Sequence, residues 1–140
     1  MTDRFVIERD YDASPERMFH AWSDMATLAK WFGCGSDMLW NVHEWDVRSG
    51  GAIRVSLDFP DSRYVVTGSF VEVDPPNHLR YRWQHDEMVD VRIEARGTGC
   101  RLILEHTWPP TDEDRSMVEA GWSDATRRLG DLFGRAAVVP

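Results

Sequence analysis

The sequence predicts an α+β fold: a curved antiparallel sheet of roughly six to seven strands wrapped around a long C-terminal helix, with two short helices after the first strand. Two patterns predict it. From Val42 to Leu104, apolar and polar residues alternate with a period of two between turn residues. From Val118 to Ala136, apolar residues recur at spacings of three and four, as in an amphipathic helix. We expect a single domain over residues 1–140.

The N-terminal segment predicts a strand followed by a helix. Residues 3–11 alternate loosely between apolar and polar, which is typical of a strand. A helix start comes next: Ser14 can cap the helix, Pro15 suits its first position, and Glu16 favours the positive end of its dipole. The apolar stripe of this short helix consists of Met18, Phe19 and Trp22.

A second short helix is predicted directly after the first. Asp24 offers its cap, and Gly33 and Gly35 are expected to end it. Its apolar stripe consists of Leu28, Trp31 and Phe32. Cys34 lies in the loop that follows, but no base is near it in the sequence, so we do not expect it to be a catalytic nucleophile.

Six further strands are predicted after this loop. Turn signals rich in Gly, Pro, Asn and Asp separate them, and the alternation gives the sheet one apolar face and one wet face. Gly68 within one strand indicates a bulge or a close backbone contact. The strands are expected over residues 42–47, 53–58, 64–73, 79–84, 89–94 and 101–106.

The pattern changes after the last strand. Pro109 and Pro110 break the sheet, and Thr111 with Asp114 resembles a capping box that starts the long helix. Arginines toward the negative end of this helix complement its dipole. They are Arg127, Arg128 and Arg135.

Charge and composition exclude several classes of protein. The formal net charge is −8, and a field of that sign repels nucleic-acid backbones and anionic lipid, so we expect no nucleic-acid and no membrane partner. We see no apolar run of transmembrane length and no signal peptide, so a cytoplasmic location is expected. Cys34 and Cys100 are then expected to be reduced and structural.

The sequence lacks the motifs of metal and cofactor chemistry. His43-Glu44 and Glu105-His106 are dipeptides rather than a helical HExxH pair, and the five histidines show no ligand spacing. The glycine-rich stretches lack the spacing of phosphate-binding loops. We therefore predict no metal and no cofactor.

The predicted architecture implies a cavity, because a concave sheet face is larger than one helix can cover. Such apolar concave space is typical of small-molecule sites. The alternative is that the same side chains simply fill the core, since proteins pack to high density. The candidate ligand-binding residues are Trp31, Phe32, Trp40, Trp45, Val55, Leu57, Tyr81, Trp83, Val91, Ile93, His106, Trp108, Val118 and Trp122.

Two inward positions are polar. His106 shares the alternation of Leu102 and Leu104, so it can orient a ligand or act as an acid or base, or it can be a core histidine with satisfied hydrogen bonds. Tyr81 can offer a hydroxyl from an apolar wall, unless that hydroxyl finds a backbone partner. Trp31, Phe32 and Trp40 are expected near the opening of the cavity.

Several segments together resemble one family. They run through Ala13–Phe19, Ala21-Trp22, Leu28–Gly33, Asp46–Gly51, Gly68, Val71–Pro76, Leu79–Trp83 and Gly121-Trp122. This pattern resembles the bacterial homologues of the activator of heat-shock-protein-90 ATPase, within the START-related, birch-pollen-allergen-like superfamily. The resemblance implies a helix-grip fold with a ligand cavity between sheet and helix. It departs from many relatives at Trp31–Cys34, where they carry Trp-Trp-Gly-Pro.

Three hypotheses about function follow. The first is a module that binds a hydrophobic or aromatic small molecule, with His106 as polar anchor. The second is a cyclase, aromatase or hydrolase that acts on a hydrophobic substrate through His106 or a pocket carboxylate. The third is a protein-interaction module, including co-chaperone work, that uses an exposed face. A homodimer also stays open, because exposed aromatic side chains can support one.

Overall fold

The computed structural model describes residues 3–33, 38–84, 86–109 and 116–133. Seven strands and three helices lie within these ranges. In chain order they are β1 (Asp3–Tyr11), α1 (Pro15–Ser23), α2 (Met25–Leu28), β2 (Asn41–Trp45), β3 (Ala52–Phe59), β4 (Ser62–Asp74), β5 (His78–Trp83), β6 (Glu87–Arg96), β7 (Gly99–Trp108) and α3 (Ser116–Leu132).

The seven strands form one antiparallel sheet in the order β1-β7-β6-β5-β4-β3-β2. Neighbours in the chain pair through short connections from β2 to β7, as the predicted turns require. The N-terminal strand β1 joins the far edge of this meander by pairing with β7, where Ile7 lies opposite Leu104. The α+β fold predicted from the sequence is confirmed.

Helix α3 packs on one face of the sheet, which we call the inner face. Tyr11 of β1 donates a hydrogen bond from its hydroxyl to the Thr126 carbonyl (2.9 Å), and Arg9 Nε donates to Thr126 Oγ1 (2.8 Å). The inward residues Leu102 and Leu104 are completely buried. The predicted capping box at Thr111–Asp114 and the helix end near Arg135 lie outside the described residues, as does Cys34.

The two N-terminal helices begin where the sequence predicts. Ser14 Oγ accepts a hydrogen bond from the Arg17 amide, and Asp24 accepts one from the Thr27 amide. The predicted extent of α2 is wrong, because it ends at Leu28 and not near Gly33. Adjacent residues on a helix point in different directions, whereas Trp31 and Phe32 are both buried in the core. The helix therefore ends before Trp31 and Phe32, and both rings pack in the core.

Two details of the strands also differ from expectation. β2 ends at Trp45, two residues before the predicted end. Of the two alternatives for Gly68, the close contact is correct: a Cβ atom there would collide with the carbonyl oxygen of Arg82 on the paired strand. The bulge lies two residues further on, where the pairing register of β4 with β5 shifts between Phe70 and Glu72.

The opposite, outer face of the sheet carries the charged side chains. Arg101 Nε pairs with Asp10 (2.8 Å), and Arg54 Nε pairs with Glu44 (3.2 Å). His78 lies between two carboxylates, with Glu72 on Nδ1 (3.0 Å) and Asp90 on Nε2 (2.7 Å). This is the wet face that the alternation predicts. Among the described helices none is long and apolar enough to cross a membrane.

Candidate functional site

The inner face holds a continuous cluster of aromatic rings, which we call the aromatic cluster. Successive ring pairs contact edge to face or tilted: Trp22 and Trp31 have centroids 4.7 Å apart, Phe32 and Trp45 5.3 Å, and Trp45 and Tyr81 5.4 Å. Each such pair contributes about 0.5–1.5 kcal/mol beyond the area it buries. The members are Trp22, Trp31, Phe32, Trp45, Phe70, Tyr81, Trp83 and Trp122.

Backbone carbonyls of α1 fix two indole groups of this cluster. Trp31 Nε1 donates to the Ala21 carbonyl (3.0 Å), and Trp45 Nε1 donates to the Trp22 carbonyl (2.6 Å). Trp31 and Phe32, expected near the opening, therefore lie inside the core, 0% and 2% exposed. Arg128 of α3 holds the turn that carries them by donating from Nε to the Trp31 carbonyl (3.0 Å).

The aromatic cluster extends to the protein surface at the end of the β3–β4 hairpin. Trp83 contacts Trp40 at 5.5 Å, and Trp40 contacts Tyr64 at 6.1 Å. Trp40 is buried, whereas the Tyr64 side chain is exposed. Three further exposed apolar side chains are near these rings in the chain or on the paired strand: Met38 and Leu39 directly precede Trp40, and Phe59 lies on β3, which pairs with the strand of Tyr64. We call these three side chains the rim.

The remaining predicted site residues divide into two groups. The aliphatic positions on strands are buried in the same core as the aromatic cluster; they are Val55, Leu57, Val91 and Ile93. Trp108 lies apart from that cluster, beside His106 at 5.5 Å, and Val118 of α3 is partly buried against the core. The sheet and α3 thus bring the predicted residues to one face, and Trp40 joins Trp83 of the cluster to the exposed Tyr64.

His106 is buried, and both of its ring nitrogens are engaged. Trp122 Nε1 donates to His106 Nδ1 (2.9 Å), and His106 Nε2 lies 2.6 Å from Glu87 Oε1. An indole N–H is only a donor, so Nδ1 must be the acceptor, and the ring proton sits on Nε2 facing Glu87. This relay ties α3 to β6 and β7. Both ring nitrogens of His106 therefore have hydrogen-bond partners within the fold, which favours the second of the two alternatives given for it above.

Two other buried donors have no partner among the described residues: the Tyr81 hydroxyl and Trp22 Nε1. Both residues are 0% exposed. Burial raises the pKa of Tyr81 well above its ordinary value, so the hydroxyl stays protonated. A buried polar group without a partner costs about 1–3 kcal/mol. The backbone partner considered for Tyr81 is not found in the described part of the chain.

Sequence reasoning missed two members of the aromatic cluster. Trp22 lies in the predicted stripe of α1 and Phe70 within the predicted strand 64–73, but neither is among the candidate ligand-binding residues. A signal is available for Phe70: it shares the alternation of Val66 and Gly68, and the small Gly68 lets the paired strands approach closely. That Trp22 faces Trp122 of α3, with centroids 6.2 Å apart, follows only from the packing of the helices.

A second concave region lies outside the sheet. It is an open groove of about 350 Å³ between α1, α2 and the end of α3. Arg17 lies over the Phe133 ring at 5.3 Å, and His20 is 3.9 Å from Asp24. Its lining residues are Glu16, Arg17, His20, Ala21, Thr27, Lys30, Leu132 and Phe133. Within the described residues no group of His, Cys, Asp or Glu side chains could hold a metal ion.

The sheet wrapped on α3, with aromatic rings between them, defines a helix-grip protein. The chain belongs to the family described as activator of Hsp90 ATPase homolog 1-like protein, whose model matches residues 12–134. This match confirms the resemblance found in the sequence. No curated protein matches the chain.

Solved structures from bacteria share the fold. A protein from Chromobacterium violaceum superposes with a TM-score of 0.84 at 24% identity, covering 94% of this chain and 97% of that one. A protein from Rhizobium leguminosarum gives 0.78 at 19% identity, with 96% of both chains covered. A solution structure from Staphylococcus epidermidis gives 0.79 at 14%, covering 95% and 90%. At these identities the likeness concerns the fold alone.

Proposed function

We propose that this protein binds a hydrophobic or aromatic small molecule on the inner face of its sheet. In this proposal the chain is one cytoplasmic domain, the aromatic cluster is the floor of the site, and the rim is its entrance. Affinity comes mainly from burial of apolar surface, at roughly 25 cal/mol per Å² before ordering costs.

The observation that carries the proposal is the unbroken series of rings from the core to solvent. Tyr81 and Trp83 have centroids 6.2 Å apart, and Trp83 leads through Trp40 to the exposed Tyr64. Tyr64 and Phe59 are both exposed and lie on paired strands near the end of the β3–β4 hairpin. Exposed apolar patches of this kind mark ligand or protein contact sites. A ligand that displaces water from the rim and packs on Trp40 and Trp83 accounts for the series of rings and for the exposed side chains at its end.

Binding is favoured over catalysis by the state of His106. A general acid or base must reach the substrate with a free nitrogen. Both nitrogens of His106 are already bonded, one to Trp122 and one to Glu87. The hypothesis of a cyclase, aromatase or hydrolase that uses His106 would require this relay to break.

The interaction-module hypothesis, including co-chaperone work, has less support. The described outer face is populated by ion pairs such as Arg101 with Asp10. Its exposed apolar side chains, for example Val6 and Val65, are aliphatic. Protein-binding surfaces normally centre on larger apolar or aromatic anchors.

A ligand screen with matched variants tests the proposal. Aromatic hydrocarbons and ketones are added while tryptophan fluorescence and thermal unfolding are recorded. We expect binding compounds to raise the Tm of the wild type and to lose affinity in Trp40→Ala. Val65→Ala serves as the control, because it removes exposed apolar surface from the outer face. Failure of every compound to move either signal in the wild type would overturn the proposal.

A further inference from the structure

We infer that the ligand of this site presents a neutral hydrogen-bond-accepting oxygen to the hydroxyl of Tyr81. The ligand class is thus an aromatic or alicyclic carbonyl compound rather than a pure hydrocarbon or an organic anion. This inference rests on the proposed function and specifies its chemistry.

The inference begins from the Tyr81 hydroxyl, a buried donor that lacks an acceptor. It is completely buried and has no hydrogen-bond partner among the described residues. The rings that contact Tyr81 are Trp45, Phe70 and Trp83, and none of them offers an acceptor to it. An oxygen brought by a ligand would supply the missing acceptor.

A second unpaired donor points to the same chemistry. Trp22 Nε1 is also buried without a partner in the described part of the chain, and an indole nitrogen can only donate. Trp45 contacts both residues: its ring packs on Tyr81, and its Nε1 donates to the Trp22 carbonyl. The aromatic cluster therefore holds two buried donors that an acceptor oxygen of a ligand could pair.

The rings that contact Tyr81 favour a carbonyl over a carboxylate, because all three are uncharged. The charged side chain of Arg128 contacts the cluster at the Trp31 carbonyl, and Trp31 is not one of these three rings. Burial of an unpaired carboxylate in such surroundings is strongly unfavourable. A ketone, aldehyde or ester oxygen avoids this cost while still accepting the hydrogen bond.

The position of Tyr81 places the rest of the ligand toward the rim. Trp83 follows Tyr81 on the same face of β5, and Trp40 continues the series to the surface. Rings at these positions have to move apart to admit a molecule, because the Tyr81 hydroxyl has no contact with solvent. The apolar body of the ligand then lies against Trp83 and Trp40, with its oxygen innermost.

The test compares two probes of nearly equal shape, acetophenone and α-methylstyrene, which differ by C=O in place of C=CH₂. Each is titrated into the wild type and into Tyr81→Phe, with the indole N–H resonances of the tryptophans as readout. We expect the wild type to prefer acetophenone by about three- to tenfold. In Tyr81→Phe, which keeps the ring but lacks the hydroxyl, we expect this preference to disappear, with acetophenone binding no more tightly than α-methylstyrene.

The outcomes separate this inference from the proposed function. If both probes bind the wild type equally, or the ketone preference persists in Tyr81→Phe, the inference is wrong and the proposed function stands. If neither probe shifts any indole resonance of the wild type up to its solubility limit, this inference is wrong, and the proposed function is decided by the wider ligand screen described above. The preference measured in the wild type does not depend on whether the variant folds.

Discussion

His106 and Tyr81 both lie buried on the inner face of the sheet, yet their polar atoms have opposite surroundings. His106 bonds to Trp122 through one nitrogen and to Glu87 through the other. The Tyr81 hydroxyl has no partner in the described chain. The first arrangement stabilises the fold and leaves nothing for a ligand, whereas the second costs stability and leaves a donor available. A buried polar side chain by itself therefore does not indicate a binding residue. A buried polar atom that lacks a hydrogen-bond partner is the better indicator.

We expect the largest effect on stability from a substitution of His106, whose two ring nitrogens both have partners. His106→Ala leaves the Trp122 indole without an acceptor and the Glu87 carboxylate without its donor, and it opens a cavity. We expect unfolding free energy to fall by about 2–4 kcal/mol in urea denaturation. His20→Ala is the control, because the His20 side chain is exposed and its ion-pair contact with Asp24 is long, at 3.9 Å. Equal losses in the two variants would contradict the role of the relay.

For Tyr81, whose hydroxyl has no partner in the described chain, we expect a change in stability of the opposite sign. Tyr81→Phe removes a buried hydroxyl that has no partner, so we expect a gain in unfolding free energy of about 1 kcal/mol. Tyr11→Phe is matched to it, because the Tyr11 hydroxyl donates to the Thr126 carbonyl at 2.9 Å. That variant is expected to lose about 1 kcal/mol. Destabilisation by both substitutions would mean that Tyr81 has a partner within the fold.

Cys100 is a third buried polar group in the same core, and here the polar group is a thiol. Burial, together with the charge of Asp10, raises the pKa of Cys100 to about 11. The thiolate is the reactive form, so Cys100 is expected to resist iodoacetamide at about pH 8 in the folded protein. Mass spectrometry of the Cys100 peptide should show rapid labelling only after unfolding in urea. Rapid labelling of the native chain would show that this part of the core opens readily.

The smallest effect is expected on the outer face, where polar groups are paired but exposed. The hydrogen bond and charge of Arg101 hold the pKa of Asp10 below its ordinary value of 3.8. Because the folded pKa is depressed, this stabilisation is present above the ordinary pKa and is lost as pH falls through the folded pKa. The Tm difference between the wild type and Arg101→Gln should therefore be slight at neutral pH and shrink further between about pH 5 and pH 2. A difference that grows on acidification would contradict the pairing.

The sequence predicted the sheet because its signals are local. Alternation along each strand placed Leu104 and His106 on the inner face and Arg101 on the outer face, and caps at Ser14 and Asp24 marked the helices. The end of α2 could not be predicted in this way, because the turn after Leu28 serves contacts of Trp31 and Phe32 with distant elements.

The candidate site was predicted as a set of residues but not as an arrangement. Periodicity shows that Tyr81 and His106 face inward, but it does not show whether each one finds a hydrogen-bond partner across the core, or which one. The partners of His106 are Glu87 and Trp122, 19 and 16 residues away in the chain. The unpaired state of Tyr81 depends on its contacts with Trp45 and Phe70 from two other strands. Only the packed fold brings such contacts together.

The central claim is that an apolar carbonyl compound binds on the inner face with its oxygen at Tyr81. A crystal structure of the protein grown with 4′-bromoacetophenone tests it most directly, because anomalous scattering locates the bromine independently of the fit. We predict the bromine near Trp40 and Trp83 and the ketone oxygen within hydrogen-bond distance of the Tyr81 hydroxyl. Bromine found instead in the groove beside Arg17 and Phe133, with the aromatic cluster unchanged, would contradict the claim.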